Sequence, residues 1–193
     1  MVSRRRFLAG TLALGAAAAA RAEDDDAALW QQLRTGGLVV LIRHASTVPG
    51  LGDPEGFRLG DCSTQRNLSE AGREESRRIG ARFKSEGVAV QEVLTSPWCR
   101  CRDTAMLAFG RAEDWEPLSS FFDMPHREAE LTETVRKRIL GYSIRKPAGN
   151  VAMVTHNVNI AALTRLSVAP AELVVVHGQG CCDVKPFGRI MAD

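Results

Sequence analysis

Leu38-Val39-Val40-Leu41-Ile42-Arg43-His44-Ala45-Ser46-Thr47 is the stretch on which the reading of this chain turns. Five apolar residues, three of them β-branched, run straight into Arg-His. The run is short and has no polar face, so it reads as a buried strand. Such strands usually belong to parallel sheets covered on both faces. In open α/β sheets, ligands bind beyond the carboxyl ends of the strands, where Arg43 and His44 stand. Alone, a histidine at that position would read as a local cap or a satisfied core residue. Two further stretches change this. Val151-Ala152-Met153-Val154-Thr155-His156-Asn157 again delivers a histidine to a strand end. Val93-Leu94-Thr95-Ser96-Pro97-Trp98-Cys99-Arg100 delivers an arginine just past one. Two imidazoles and two guanidiniums at such exits can converge on one point, and paired guanidiniums suit an oxyanion such as phosphate.

The same residues carry a family resemblance. Arg43-His44-Ala45 resembles the Arg-His-Gly signature of the histidine phosphatase superfamily, in the branch that includes cofactor-dependent phosphoglycerate mutases. Leu68-Ser69-Glu70-Ala71-Gly72 is similar to that branch's Leu-Thr/Ser-Glu-x-Gly helix start. Ser96-Pro97-Trp98-Cys99-Arg100-Cys101-Arg102-Asp103-Thr104-Ala105 resembles its Ser-Pro-x-x-Arg-Ala-x-x-Thr-Ala block, and Val154-Thr155-His156 its C-terminal Val-Ser/Thr-His block. The four blocks stand in the family's order across most of residues 37–166. Ala45 and Cys101 depart from the usual Gly and Ala but remain small.

The chain has 193 residues, which suits one domain with a sizeable core. Its formal charge of +2 owes much to the N-terminus: without Arg4, Arg5, Arg6 and Arg21 the balance is 21 basic against 23 acidic side chains, or −2. That balance implies neither a basic nucleic-acid face nor a polybasic membrane surface, and no nucleic-acid partner is expected. Ser3-Arg4-Arg5-Arg6-Phe7-Leu8 opens a signal of the twin-arginine type, continued by an Ala- and Leu-rich stretch. Ala20-Arg21-Ala22 has the small-x-small form of a cleavage site. The apolar part, Phe7 to Ala20, is 14 residues, short of the roughly 20 that span a bilayer. The expected organisation is a signal peptide over residues 1–22 and a single domain over 23–193. The expected partner is the twin-arginine export machinery, with no stable membrane span and a periplasmic or otherwise extracytoplasmic location.

In that oxidising setting the five cysteines, Cys62, Cys99, Cys101, Cys181 and Cys182, leave at least one thiol unpaired or bridged between molecules. A bridge from Cys62 to Cys99 or Cys101 would staple the phosphate site. The alternative is that Cys99 or Cys101 is a small buried residue. No second Cys-x-x-Cys or His pair points to zinc.

Periodicity places a short helix over Glu23–Arg34 and a long Gly- and Pro-bearing loop over Val48–Asp61, positioned to act as a lid. A helix opens at Asn67 or Ser69 and a strand covers Val88–Thr95, with a helix starting at Ser96-Pro97. Trp115–Phe122 reads as a strand or extended segment and Arg127–Leu140 as a helix. Pro147–Asn150 is a turn, Val151–Thr155 a strand and Asn157–Leu166 a helix, followed by edge strands at Glu172–Val176 and Val184–Met191. The alternation predicts a three-layer α/β/α sandwich with a mostly parallel central sheet, phosphoglycerate mutase-like by the resemblance.

The resemblance implies that His44 is a nucleophile forming a phosphohistidine. Arg43, Arg100 and a protonated His156 would hold the phosphate oxygens. No cofactor or metal is expected, because guanidiniums already neutralise the phosphate. The leaving oxygen needs an acid. Where the branch often has Glu, this chain has Ser119 and Ser120, so Asp123 is the candidate, with Glu128 behind it. Thr47, Gln65 and Arg66 match positions where the branch contacts substrate. His126 reads as surface loop and His177 as an edge-strand residue. The expected activity is an exported, metal-independent phosphatase acting on a phosphorylated small molecule or an envelope sugar phosphate. The alternatives are a phosphatase of protein phosphohistidine, or a non-catalytic phosphate-binding envelope protein. A mutase is disfavoured in a short exported chain.

Overall fold

The computed structural model describes residues 26–191. The expected signal segment and cleavage point, and residues 23–25 of the expected Glu23–Arg34 helix, lie outside them. Strand β1 (Val39–Arg43) is central, paired parallel with β4 (Asn150–Thr155) and antiparallel with β5 (Glu172–Gln179). Beyond β4 lie β2 (Val90–Thr95) and the two-residue β3 (Glu113–Asp114), both parallel. Beyond β5 lies antiparallel β6 (Asp183–Met191), giving the order β3-β2-β4-β1-β5-β6.

Side chains on β1 alternate between two cores, as a two-residue period requires. Val40 and Ile42 pack among Trp30 and Leu33 of α1 (residues 26–35), Ile79 and Phe83 of α2 (Glu70–Ser85), and Ala105 of α3 (Cys99–Phe109). Val39 and Leu41 pack among Val135, Ile139 and Tyr142 of α4 (Glu128–Arg145) and Ile160 and Leu163 of α5 (Asn157–Thr164). Helices therefore cover both faces of a mixed sheet, which is the expected three-layer sandwich. Each fully buried aliphatic side chain contributes roughly 1.5–3 kcal/mol.

Ser69 is the N-cap of α2, its hydroxyl accepting from the Gly72 amide at 3.1 Å. Gly72 is required by close approach: a Cβ there would lie 1.9 Å from the Ser46 carbonyl oxygen. This contact clamps the segment after β1 against the helix.

Several expected elements shift. Pro97 lies before α3 rather than in its first turn, since Trp98 is the extended N-cap. Ser96 precedes a proline, which disfavours helical backbone, and its hydroxyl is engaged elsewhere. Residues 115–122 are not a strand: Leu118 and Ser119 donate backwards to Trp115 and Glu116 in a 3-10 turn containing Pro117, which has no amide to give a ladder. Helix α4 runs to Arg145, five residues past the expected Leu140. Strand β5 is not an edge, because β6 covers it. The span 48–61 is a loop, fastened by bridges between Thr47 and Leu68 and between Arg58 and Asp61.

Candidate active site

Strand register assembles the site. Arg43 stands opposite Thr155, and the His44 amide donates to the Thr155 carbonyl at 2.9 Å, so His44 and His156 leave the sheet side by side. Their ring centroids are 5.4 Å apart. Thr95 stands opposite Val154, which brings Ser96 and then Arg100 on α3 to the same edge. A cavity of about 280 Å³ there is lined by Arg43, His44, Arg66, Arg100, Asp123 and His156, together with Leu51, Gly52, Asp53, Ser120, Phe122, Asn157 and Val158.

The His44 ring is held in one tautomer. Its Nδ1 lies 2.8 Å from the Ala45 carbonyl oxygen, which can only accept, so Nδ1 carries the hydrogen and Nε2 keeps its lone pair. Burial pushes the ring down to about 3; the Ala45 bond opposes this, and the guanidiniums of Arg100, Arg43 and Arg66 add to it. The imidazole is therefore neutral at ordinary pH, as a nucleophile must be. His156 is enclosed by Trp98, whose ring centroid is 5.4 Å away, and by Cys101. Its Nε2 lies 2.8 Å from the Ser96 hydroxyl. Burial, then His44 and the same three arginines, push it well below the usual histidine value. The expected protonated His156 is thus not the resting form; protonation would require the negative charge of a bound oxyanion.

The three guanidiniums are unevenly satisfied. Arg43 donates to the Val168 carbonyl at 2.6 Å and Arg66 to the Gly50 carbonyl at 2.6 Å. Arg100 meets Asp53. In all three the Nε–H is buried without a partner. Burial depresses Arg43 and Arg66, and each is further lowered by a neighbouring arginine, Arg66 for the first and Arg100 for the second. Buried unpaired donors cost about 1–3 kcal/mol each. Among the described residues, no group of three or more His, Cys, Asp or Glu side chains is placed to hold a metal ion.

A sequence model of the histidine phosphatase superfamily (branch 1) matches residues 39–120, from the start of β1 through the Arg100 block. Over that span, which holds β1 and the Arg100 block, the chain is similar to this superfamily. No curated protein matches the chain. Among solved structures, the protein histidine phosphatase SixA complexed with tungstate superposes with a TM-score of 0.53 at 17% identity, covering 80% of this chain and 97% of SixA. Bacillus stearothermophilus YhfR gives 0.54 at 17% identity, covering 76% and 93%. A mycobacterial glucosyl-3-phosphoglycerate phosphatase gives 0.57 at 14% identity, covering 77% and 96%. At these identities the likeness is one of fold.

Within this fold, Arg43, His44, Arg66, Arg100, Asp123 and His156 are brought together, and Thr47 and Gln65 are not. Thr47 is outside the cavity lining and pairs through its backbone with Leu68. Gln65 has no group left for a substrate: its amide nitrogen donates to the carbonyls of Arg58 and Leu59, and its oxygen accepts from the Cys99 amide at 2.9 Å. It braces the loop to α3 instead. Glu128 opens α4 and does not line the cavity. His126 is exposed in a 3-10 turn, and His177 stacks on Phe187 at 4.2 Å.

Cys62 and Cys99 form a disulfide. Cys101 is a free, buried thiol, pushed up to about 12 by burial. The residue that sequence reasoning missed is Asp53. Its side chain is 3% exposed, and it accepts from Arg100, from the Arg66 amide at 2.9 Å and from the Trp98 indole at 3.1 Å. Its only signal in the sequence is an acid within a loop that follows the Arg-His strand.

Proposed function

We propose that this chain is an exported phosphomonoesterase that works without metal through a phosphohistidine on His44. One observation carries the reading: a neutral imidazole with its Nε2 lone pair available, beside three guanidiniums whose buried Nε–H groups lack partners. In the first step Nε2 attacks phosphorus, the P–N bond forms and the ester P–O bond breaks. Asp123, on the cavity wall, is the group assigned to protonate the leaving oxygen. In the second step water gives a proton to the Asp123 carboxylate and attacks phosphorus, and the P–N bond breaks. Inorganic phosphate leaves, and His44 returns to its neutral form. Arg43, Arg66 and Arg100 stabilise the charge on the equatorial oxygens throughout.

The twin-arginine signal over residues 1–22 supports action outside the cytoplasm, on phosphate esters of the envelope including sugar phosphates. A second reading is hydrolysis of protein phosphohistidine, favoured by the fold shared with the protein histidine phosphatase SixA.

The test is hydrolysis of p-nitrophenyl phosphate by the mature chain in the presence of a chelator. Turnover that disappears in His44→Ala is expected. Binding of inorganic phosphate without turnover of any phosphoester would leave only a phosphate-binding protein. A panel of sugar phosphates and phosphohistidine peptides then separates the two substrate classes.

A further inference from the structure

Exposed large hydrophobic side chains are unevenly distributed over the described residues. There are eight, and three of them, Val48, Leu51 and Leu59, lie on the span between β1 and Cys62. A fourth, Phe122, lies on the segment before α4. Leu51 is 90% exposed and Phe122 54%, and both line the cavity that holds the three guanidiniums. Val158 adds a third apolar side chain to that wall. Isolated exposed apolar residues are ordinary, but a cluster facing one cavity marks a binding surface.

Both side chains are presented by fastened backbone. Leu51 stands between Gly50, whose carbonyl accepts from Arg66 at 2.6 Å, and Asp53, whose carboxylate is buried against Arg100. Phe122 stands between buried Phe121 and Asp123, with its amide donating to the Ser120 hydroxyl at 3.3 Å. A cavity of about 280 Å³ is at the small end of ligand sites, so the occupant is a small molecule.

We infer that Leu51 and Phe122 form an apolar seat for the organic part of the substrate, so that the site selects small phosphomonoesters with a nonpolar group next to the ester oxygen. The inference rests on the phosphatase reading of His44 and narrows it away from sugar phosphates: hydroxyls placed against Leu51, Phe122 and Val158 would lose hydration without hydrogen bonds in return, whereas a nonpolar group gains by burial there.

Cyclohexyl phosphate and myo-inositol 1-phosphate are a matched pair, with the same ring size and an alkyl ester oxygen in both. The expected kcat/KM is at least ~10-fold higher for cyclohexyl phosphate, the scale a small apolar group commands in a pocket. Leu51→Asn and Phe122→Asn, both at exposed positions that leave the core alone, are expected to reduce that ratio severalfold each without changing the inhibition constant of inorganic phosphate. A ratio at or below one, or a ratio untouched in the double variant, overturns the seat. Calorimetric binding of the two esters to His44→Ala reads the same preference without chemistry. If the wild-type chain hydrolyses neither ester nor p-nitrophenyl phosphate, the phosphatase reading fails. The seat then stands if cyclohexyl phosphate still binds at least ~10-fold tighter, and falls if it does not.

Discussion

The carboxylate of Asp53 meets Arg100 with both oxygens on one nitrogen, Nη1, at 2.8 and 3.0 Å. Neither Nη2 nor the buried, unpartnered Nε of Arg100 takes part in that contact. Asp53 thus has two effects: it orients the guanidinium, and it offsets one of three positive charges around the cavity. Asp53→Asn separates them. Loss of orientation is expected to lower kcat by ~10-fold, while loss of the negative charge tightens binding of inorganic phosphate severalfold. Steady-state kinetics with phosphate as inhibitor checks both. A merely destabilised protein would show less active enzyme with an unchanged inhibition constant.

His44→Ala and Arg100→Ala are expected to fail differently. Without His44 there is no P–N bond to form, so turnover falls to background while the guanidiniums still bind vanadate or phosphate. Without Arg100, turnover falls by on the order of 10²–10³ and oxyanion binding weakens with it. Single-turnover kinetics and calorimetry on the same preparations distinguish the two outcomes.

The two buried imidazoles make stability pH-dependent. His44 is held down to about 3 from 6.5, and His156 is lowered as well. Between these values the unfolded chain binds protons that the folded chain refuses, so stability falls as pH drops below 6.5 and the His44 contribution levels off near 3. The slope is at most about 1.4 kcal/mol per pH unit for each histidine. Denaturant midpoints from pH 7 to 4 should drop less steeply in His44→Gln than in the wild type.

The Cys62–Cys99 bridge closes a span of 37 residues, which corresponds to about 4 kcal/mol of restricted unfolded-chain entropy. Cys62→Ser is expected to lose stability on that order by urea denaturation. It should also lower activity, because Cys99 immediately precedes Arg100 and the loop it holds carries Asp53.

Gly72→Ala drives a methyl group into the Ser46 carbonyl at 1.9 Å, where the three nearest atoms are all Ser46 backbone and no flexible side chain can yield. Overpacking of this kind costs about 1–3 kcal/mol or more. It should also disturb the Ser46–Glu75 pair, held at 2.8 Å by both the amide and the hydroxyl of Ser46, two residues from His44. Thermal unfolding measures the first effect and kcat the second.

The framework was legible because local pattern and global position agree. The apolar runs ending in His44 and His156 read as buried strands, and the parallel register of β1 and β4 puts the two imidazoles together. Arg43 and Arg100 followed from the ordered motifs, Arg66 from its place before the Leu68-Ser69-Glu70 block and Asp123 as the nearest acid where the usual Glu is missing, and all four line the cavity. What failed were positions set by long-range hydrogen bonds that no spacing encodes. Gln65 matches a substrate-contacting position but is consumed by two loop carbonyls and the Cys99 amide. Asp53 looks like an ordinary loop acid until α3 supplies Trp98 and Arg100 around it. Pro117 could have demoted the supposed strand at 115–122, since a residue without an amide hydrogen cannot complete a ladder.

Cys101 sits two positions from a bridged sulfur and yet cannot compete with it. A thiol pushed up to about 12 is almost wholly protonated near neutrality, and thiol exchange proceeds through the thiolate. Exchange through Cys101 is therefore suppressed once the chain has folded. Any thiol that opens the Cys62–Cys99 linkage has to approach from solvent, on the side where Cys62 is exposed, and not from the neighbouring Cys101.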